Sequence, residues 1–540
     1  MIAAYCWPHS GTAGTTFPLC VSSTLGPVRV TVTRVGARRE VVAEYERVEA
    51  DVQPVPDDVV AAGCGWTTTL GIETTSAWRS GYYEVAIEPV AGWPRGRRPP
   101  AGTDLAFFVV RPLRASADRP LLVLGTNTWL AYNDWGGSNL YTGSSHVSWD
   151  RPLAAGLLAK PAGPGRRVAV TNPPDPRMNA HVGYLQLEKL SGWAGSAGWP
   201  NYEEPFVAWA EQQGYELDLA VNADLDRAPD LLDDARLVLC VGHDEYWSAA
   251  QRDAVERHVH RGGNVLIMSG NTCFWQVRHS DEGRTMIGYK SHFADDPVMG
   301  TADQHLVTSI WSDPLTGRPE TQLTGLTFTR GGYARIGKRV PKGSGGYTVH
   351  RPEHWAFEGT ELEWGDLLGA RSTVVGYECD GCAFTLVDGR PVPTGEDGCP
   401  DGFEILATSP ASSFDRRTAL RPVPPNELSE VEFHAERILG DHSPESVAKL
   451  EFGHSVFGTW TTPGGGVVVN TGVSTPREER RRLRAVLHNA AREGLDAQNR
   501  AQHPAFEAYL RGKVAYVGMV NPAQGAKLQQ QLDAALARPR

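Results

Sequence analysis

The sequence predicts an α/β protein in which a doubly wound parallel sheet follows a small β-sandwich. Up to residue 112, apolar and polar residues alternate in short runs between Gly- and Pro-rich turns, which is typical of half-buried strands. After residue 120, short apolar runs alternate with helical patterns, which is typical of parallel strands joined by helices. The chain has 540 residues, 41% of them hydrophobic, which is enough for more than one such domain.

The first predicted domain spans residues 1–112. The segments VRVTVTRVG and YYEVAIEPV alternate as half-buried strands do, and DLAFFVVRP is a mostly apolar closing strand. Short strands separated by turns such as AGWPRGRRPPAG favour an immunoglobulin-like β-sandwich. The segment LRASADRP, residues 113–120, is interpreted as a linker.

The second predicted domain spans residues 118–495. Four strands are predicted from LLVLGTN, YELDLAVN, ARLVLCVG and NVLIMSGN, and two helices from EEPFVAWAEQQG and SAAQRDAVERHVHRGG, the latter with Ser248 as N-cap. Residues around 300–460 mix short strands with turns and are expected to decorate this domain as a β-rich insertion. GGGVVVNTG predicts a further buried strand, PREERRRLRAVLHNAAREG a helix, and residues 496–540 a C-terminal helical extension.

The composition argues against several classes of function. The net charge is −11 and no run of Lys and Arg alternates with aromatic residues, so nucleic acid is not expected as a partner. No stretch approaches the about 20 apolar residues that span a bilayer, and the first residues lack the pattern of a signal peptide, so we expect a cytoplasmic protein without membrane contact. No G-x-G-x-x-G or Walker A motif supports nucleotide binding.

The cysteines do not indicate a disulfide scaffold, since there are only 8 in so long a chain. Cys379 and Cys382 form a C-x-x-C motif with Cys399 nearby. A structural zinc site needs four ligands, and no fourth is evident at a suitable spacing. Free thiols in a loop are therefore expected, with zinc as the alternative.

Polar side chains follow the four predicted strands of the second domain. In chain order they are Asn127, Tyr132 and Asn133, then Asp224 and Asp226, then His243, Asp244 and Glu245, and finally Asn271. Because ligands of open α/β sheets bind beyond the carboxyl ends of the strands, we expect these side chains to share one crevice. Asp244 has a second interpretation, as a carboxylate that caps the next helix.

The turn after the third strand carries no nucleophile. It reads GHDEY, where some α/β hydrolases have a serine within G-x-S-x-G. Cys240 lies two residues upstream of the turn's glycine, inside the strand, and is expected to be buried. Activation of water by a metal or a base is therefore favoured over a covalent acyl-enzyme.

Several motifs resemble a known family. NTWLAYNDWGG, GHDEYWS, SGNTCFWQVR, GYK and GYECDG occur in the same order in the C-terminal region of the N,N-dimethylformamidase large (beta) subunit-like family. The resemblance covers roughly residues 118–495. It implies a class I glutamine-amidotransferase-like α/β domain without the cysteine nucleophile. It also implies a small amide substrate, and a homo-oligomer or a small accessory subunit as partner.

The resemblance implies a single ferric iron held by two tyrosines and one glutamate. The ligands carried over to this chain are Tyr132, Glu245 and Tyr184, with Tyr141 as the alternative to Tyr184. The pocket residues carried over are His243, Glu378, Asn271 and Lys290. In this interpretation His243 or Glu378 is the general base, and Lys290 and Asn271 orient the substrate or the developing oxyanion.

The function that follows is an iron-dependent hydrolase of a small N-substituted amide, acting through activated water. A non-catalytic carbohydrate- or small-ligand-binding protein is the alternative, because several of the 16 tryptophans stand in loops such as WLAYNDWGG and SGWAGSAGWP. A glycoside hydrolase with Glu245 and Glu378 as its carboxylate pair is a third hypothesis. The site residues also have structural alternatives: Tyr132 as a packing residue, Lys290 on the surface, and Glu378 paired with Arg335 or Arg371.

Overall fold

The computed structural model describes residues 1–94, 99–161, 183–336, 340–341, 343–371, 373–376, 378–419, 422–473, 526 and 529–530. The helix predicted from PREERRRLRAVLHNAAREG lies outside the described residues, as does nearly all of the predicted extension 496–540. Within the described residues, no helix is both long and apolar enough to cross a bilayer.

The N-terminal region forms two sheets. Its strands are β1 Ile2–Cys6, β2 Ser10–Thr12, β3 Thr16–Ser23, β4 Val28–Val35, β5 Arg39–Val48, β6 Leu70–Glu73, β7 Gly81–Pro89 and β8 Leu105–Arg111. The sheet orders are β1-β3-β6 and β2-β8-β7-β4-β5. Apolar side chains of both sheets share one core, in which Phe17 stacks on Phe108 with ring centroids 4.2 Å apart. The three predicted strands are confirmed as β4, β7 and β8, and the immunoglobulin-like assignment stays a prediction.

The remaining chain is built around one large sheet. Its strands and those of two smaller sheets are β9 Leu121–Leu124, β10 His146–Ser148, β11 Asp218–Val221, β12 Leu237–His243, β13 Tyr246–Ser248, β14 Asn264–Gly270, β15 Trp275–Ser280, β16 Thr285–Ile287, β17 Thr327–Tyr333, β18 Tyr347–Val349, β19 Leu367–Leu368, β20 Glu378–Gly381, β21 Phe384–Val387, β22 Arg390–Pro393, β23 Glu404–Ser412, β24 Phe452–Thr461 and β25 Val467–Asn470. The five strands β11-β9-β12-β14-β25 are neighbours in this order and run parallel. The strands predicted from the five apolar segments of this region are all present. The glutamine-amidotransferase-like assignment stays a prediction.

The strand order places the first strand of this region inside the sheet. The strand β9 lies between β11, which follows it in the chain, and β12. The chain therefore changes its direction of progression across the sheet between β9 and β12, which is the point where ligands bind in doubly wound sheets.

Several strands from residues 300–460 belong to the same large sheet, and the assignment of this segment as an insertion stays a prediction. The order continues from β25 through β24, β23 and β17 to β20, and these strands are antiparallel. Antiparallel partners need only backbone hydrogen bonds and an apolar face, which short strands between turns supply. The described part of the predicted insertion is thus continuous with the parallel half of the sheet.

The α-helices are Val59–Ala62, Thr126–Tyr132, Glu203–Gln212, Asn222–Arg227, Ala249–His260, Thr321–Thr324, Glu430–Leu439 and Pro444–Glu451, and residues 183–187 are also helical. The 3-10 helices are Gly192–Gly195, Asp281–Gly283, Lys290–Asp295, Gln304–Leu306 and Trp355–Phe357. The predicted cap is confirmed, because the Ser248 hydroxyl accepts a hydrogen bond from the Gln251 amide at 3.0 Å.

The N-terminal sheets pack directly against the α/β region. Tyr82 of β7 stacks on Trp199 with centroids 3.9 Å apart, and Phe107 of β8 contacts Trp129 at 5.5 Å. All four rings are buried. The helix Thr126–Tyr132 therefore packs against the N-terminal region through Trp129.

The 8 cysteines are free, as predicted for Cys379, Cys382 and Cys399, and all are buried. Cys379 lies within β20, and Cys382 and Cys399 belong to the same apolar cluster. Their thiols are therefore part of the core.

Candidate active site

Four strand ends bring the predicted site residues together. The strand β12 ends at His243 and leads into Glu245, while β9 leads into the helix Thr126–Tyr132. The neighbouring β14 leads into Asn271, and β20 begins at Glu378. Because β9, β12 and β14 are parallel, their carboxyl ends lie at one edge of the sheet.

Two glycines allow the backbone to come this close. A Cβ atom on Gly270 would lie 2.5 Å from the carbonyl oxygen of Glu378, so β14 and β20 approach each other only because the residue is glycine. Gly242 has a φ of +99°, and a Cβ there would lie 2.4 Å from the side chain of Tyr202. The turn that presents His243 thus requires glycine at the position before it.

Two tyrosine hydroxyls meet the two carboxylate oxygens of Glu245. The Tyr132 hydroxyl donates to Oε2 at 3.0 Å, and the Tyr141 hydroxyl donates to Oε1 at 2.7 Å. The two hydroxyl oxygens are 3.2 Å apart. Glu245 and Tyr132 are 2% and 4% exposed, so this oxygen cluster is withdrawn from water. Tyr132 is thus more than a packing residue.

Tyr141 combines a partly open ring with an enclosed hydroxyl. The residue is 38% exposed, and its ring stacks on Trp193 at 5.0 Å. Its hydroxyl lies against Glu245 and Tyr246, and desolvation together with the Glu245 carboxylate raises the pKa of Tyr141 well above its usual value. One face of this residue is therefore accessible while its oxygen belongs to the cluster.

Asn139 joins Tyr141 to the helix that carries Tyr132. Its side-chain amide donates to the carbonyl of Tyr132 at 3.2 Å, and its side-chain oxygen accepts from the Tyr141 amide at 2.8 Å. The amide of Leu140 also donates to the helix, at the carbonyl of Ala131. The two tyrosines are thus fixed as one unit.

Tyr184, the predicted second ligand, has a different environment. Its hydroxyl donates to the backbone carbonyl of Pro161 at 2.6 Å, and its ring packs with Leu185 and Leu190. Tyr141, the alternative, is the residue that the structure places beside Glu245. Tyr184 as a ligand stays a prediction, and the contact of its hydroxyl with a main-chain acceptor favours Tyr141 in its place.

His243 lies between two carboxylates. Its Nε2 atom is 2.6 Å from Glu378 Oε2 and 3.4 Å from Glu245 Oε2. Its Nδ1 atom is 3.1 Å from the carbonyl oxygen of Ser196, so Nδ1 carries the proton. Burial alone would lower the pKa of His243, but the two carboxylates raise it to about 9. Glu378 therefore pairs with His243, and not with either arginine considered from the sequence.

Lys290 is buried rather than on the surface. It is 6% exposed, and its Nζ atom is 3.0 Å from the Tyr246 hydroxyl and 3.0 Å from the centre of the Tyr141 ring. Burial lowers the pKa of Lys290 to about 7, although the carboxylates of Glu245 and Glu378 oppose this shift. The Lys290 side chain thus contacts the hydroxyl of Tyr246 and the ring of Tyr141.

Asn271 occupies a strained turn at the end of β14. Its φ is +54°, in the left-handed region that disfavours most side chains. The Asp380 carboxylate accepts from the amides of Asn271 and Thr272 at 2.8 and 3.0 Å and so holds the turn. The side-chain oxygen of Asn271 is buried without a hydrogen-bond partner among the described residues. Such an atom is free to bind a ligand.

Three acidic residues that follow the second and third predicted strands take other roles. Asp224 accepts from the Ser10 hydroxyl at 2.6 Å, and Asp226 is 2.7 Å from His279 Nδ1. Asp244 accepts from the Asn222 side chain at 3.0 Å and does not cap a helix, since Ser248 provides that cap. The shared crevice therefore forms without these three carboxylates.

Tyr132, Tyr141 and Glu245 fit a hard metal ion. Oxygen ligands bound about 2 Å from one ion lie roughly 3 Å from each other, as these oxygens do. Phenolate and carboxylate oxygens suit a ferric ion. Among the described residues, no group of three or more His, Cys, Asp and Glu side chains could hold a metal ion, so the fit depends on the tyrosines.

Sequence reasoning missed Tyr246 and Asp380. Both stand inside quoted motifs, GHDEYWS and GYECDG, and both touch residues that were predicted. In the sequence, Tyr246 follows a charged turn and resembles an ordinary core aromatic residue. Its hydroxyl contact with Lys290 becomes evident only in the structure. The one available signal was its adjacency to Glu245.

Comparison with known proteins identifies relatives of this chain. A family profile described as "N,N-dimethylformamidase beta subunit-like, C-terminal" matches residues 29–475. The chain is similar to the N,N-dimethylformamidase beta subunit of Alcaligenes sp, with 24% identity over 384 residues, covering 61% of this chain and 44% of that protein. The chain thus spans less than half of that relative's length.

A second match is short. It joins this chain to the Retron Mx65 reverse transcriptase of Myxococcus xanthus, with 48% identity over 63 residues, or 12% of this chain and 13% of that protein. A match of that extent carries no argument about function. The family profile, in contrast, covers both the N-terminal sheets from β4 onwards and the large sheet. This chain therefore belongs to the family described as N,N-dimethylformamidase beta subunit-like, C-terminal.

Proposed function

We propose that this protein is a metal-dependent hydrolase of a small N-substituted amide, with one ferric ion held by Tyr132, Tyr141 and Glu245. The observation that carries the proposal is that two tyrosine hydroxyls reach both oxygens of one buried carboxylate. An ion bound there would supply a Lewis acid that polarises a carbonyl group and lowers the pKa of water. Membership of a dimethylformamidase-like family supports the same class of substrate.

The absence of a nucleophile at the turn favours direct attack by water. Cys240 is 1% exposed within β12, and burial raises the pKa of its thiol well above the usual value. The turn that follows presents His243 and Glu245 but no serine, threonine or cysteine. A covalent acyl-enzyme at this position therefore has no support.

The proton transfers are assigned to the pair Glu378 and His243. Glu378 accepts a proton from the attacking water, and His243 passes a proton to the departing amine. The contact of 2.6 Å between them lets a proton move from one to the other. The Nδ1–H group of His243 stays on the carbonyl of Ser196, which keeps Nε2 directed at the carboxylates.

Lys290 is assigned to the oxygen of the substrate and Asn271 to the attacking water. The unused atom of Asn271 is its buried side-chain oxygen, which accepts a hydrogen bond and so suits a water molecule. The Lys290 amine lies beside the cluster, and a donor that is already in place stabilises the charge that develops on a carbonyl oxygen during attack.

The alternatives from the sequence have less support. Two tryptophans of the loops considered as a carbohydrate platform, Trp129 and Trp199, are each 1% exposed and pack in the core. Glu245 and Glu378 both face one nitrogen of His243, whereas the carboxylates of a glycosidase flank the scissile bond.

The proposal is tested by iron content and amine release. We expect purified protein loaded with iron to hold about one iron per chain and to release dimethylamine from N,N-dimethylformamide. Glu245→Gln should lose both properties, whereas Glu320→Gln, which alters another fully buried carboxylate, should keep them. Protein that takes up no iron, or a Glu245→Gln variant with unchanged iron and activity, would overturn the proposal.

A further inference from the structure

We infer that Tyr246 is a positioning residue that directs the phenol oxygen of Tyr141 through a hydrogen-bond relay beginning at Lys290. The inference rests on the proposed function, because it concerns one of the proposed metal ligands. It assigns a role to a residue that belongs neither to the Glu378–His243 pair nor to the proposed metal ligands.

The relay consists of three consecutive contacts. The Lys290 Nζ atom is 3.0 Å from the Tyr246 hydroxyl, which is 2.8 Å from the Tyr141 hydroxyl. The Tyr141 hydroxyl is 2.7 Å from Glu245 Oε1. Tyr246 is completely buried, so bulk solvent does not reach its hydroxyl. An ammonium group is thus connected to the proposed metal ligands through one phenol.

The direction of the relay follows from the chemistry of its first member. The Lys290 amine donates to the Tyr246 oxygen, and in its ammonium form it has no other option because it has only donors. The single proton of Tyr246 is then left for the Tyr141 oxygen. Tyr246 therefore donates to Tyr141 whether Tyr141 is a phenol or a phenolate, and a bond to a charged acceptor is the stronger of the two.

Both ends of the relay are held in place by the backbone. Lys290 has a φ of +57°, which a lysine adopts only when its surroundings require it, and its amide donates to the Thr308 carbonyl at 2.9 Å. Tyr246 pairs with Trp275 across β13 and β15, and its carbonyl accepts from the Asn127 side chain at 3.0 Å. The strained Lys290 backbone thus serves to aim its side chain at Tyr246.

The relay has a consequence that spectroscopy detects. A hydrogen bond donated to a phenolate lowers the energy of its electrons, so that their transfer to a ferric ion needs more energy. Groups that hydrogen-bond to metal ligands also typically change metal affinity by about 10- to 100-fold. Loss of the Tyr246 hydroxyl should therefore move the phenolate-to-iron absorption band to longer wavelength and weaken iron binding.

The test compares Tyr246→Phe with Tyr83→Phe in iron-loaded protein. Phenylalanine keeps the ring and removes only the hydroxyl. Tyr83 is a matched control, since it is 1% exposed in the N-terminal sheets and donates to the Arg79 carbonyl at 2.7 Å. We expect Tyr246→Phe to shift the band to longer wavelength and to lose iron to a chelator at a roughly 10-fold lower chelator concentration. Tyr83→Phe should do neither.

The outcomes separate this inference from the proposed function. An iron-loaded Tyr246→Phe variant with an unchanged band and unchanged chelator competition would overturn the inference alone. Wild-type protein that binds no iron would overturn the proposed function and, with it, the inference. Thermal unfolding of the metal-free variants verifies that both are folded.

Discussion

At the residue scale, the central feature is a carboxylate buried with its charge partly compensated. Glu245 is 2% exposed, and burial raises its pKa even though His243 and Lys290 favour the ionised form. Burying such a group is costly unless partners satisfy it. Two hydroxyls, an imidazole and an ammonium group surround it, and a bound cation would complete the compensation.

Removing the hydroxyl of Tyr141 or of Tyr184 should have opposite effects on iron binding, because only Tyr141 is proposed as the second tyrosine ligand. Tyr141→Phe removes an oxygen from the cluster, so iron affinity should fall at least about 10-fold and amine release about 100-fold. Tyr184→Phe removes a hydrogen bond to Pro161 and should cost about 1 kcal/mol of unfolding free energy without loss of iron. Iron titration and chemical denaturation of both variants measure these effects.

The reverse result would restore the sequence-based assignment. If Tyr184→Phe lost iron and Tyr141→Phe retained it, Tyr184 would be the ligand. In that case the contact of Tyr141 with Glu245 would be structural.

At the element scale, the site depends on how closely β14 and β20 approach. A side chain at Gly270 would collide with the backbone of Glu378, and backbone atoms cannot move aside as a flexible side chain does. Glu378, the proposed base, therefore keeps its position only because residue 270 of β14 has no side chain.

Gly270→Ala should separate catalysis from metal binding. The added methyl group displaces Glu378 from His243, so kcat should fall by up to about 100-fold, and overpacking should lower the unfolding free energy by about 1–3 kcal/mol. Iron content should remain, because Glu378 is not a proposed ligand. Steady-state kinetics and metal analysis of the same preparation provide the measurements.

Gly343→Ala is the matched control for this change, since no described residue other than its chain neighbours has an atom within 4 Å of the added Cβ. It should keep both activity and iron. Full activity in Gly270→Ala would contradict the role given to the close approach of the two strands.

Most of the strands and helices were predictable, because the spacing of apolar residues and the positions of turn residues determine them locally. The strand ending at His243 and the cap at Ser248 follow from such patterns. Convergence of Tyr132, His243 and Glu245 also followed, since parallel strands end at one edge. The choice of Tyr141 over Tyr184 did not, because it depends on the hydrogen bonds of Asn139, which sequence spacing does not determine.

At the scale of the whole molecule, a buried carboxyl group of the α/β region lies close to the rings that join it to the N-terminal sheets. Glu203 begins the helix Glu203–Gln212, is 1% exposed, and accepts from Trp129 Nε1 at 3.2 Å. Burial raises the pKa of Glu203 to about 8. Trp129, which donates to this carboxyl group, also contacts Phe107 of the N-terminal sheets.

Glu203 predicts a stability that falls as the pH rises. The folded protein keeps the Glu203 proton up to pH of about 8, whereas the unfolded chain loses it near 4.5, so unfolding becomes easier through this range. Glu203→Gln stays neutral, and its advantage over the parent should grow by about 2–4 kcal/mol between pH 5 and pH 9. Denaturant unfolding at several pH values checks this.

Glu216→Gln is the control, because its carboxylate is 71% exposed and pairs with Arg119 at the surface. Its difference from the parent should change little with pH. A Glu203→Gln difference that is equally constant would contradict the assignment of a neutral Glu203 in the folded protein.

The placement of β25 has a consequence for synthesis of the chain. This strand sits in the middle of the large sheet, between β14 and β24, yet it comes from Val467–Asn470. During translation, one edge of β14 therefore remains unpaired until nearly all described residues have left the ribosome. An exposed edge of this kind invites association with other chains, so nascent chains that stop before residue 467 should be clients of chaperones, whereas the finished protein should not.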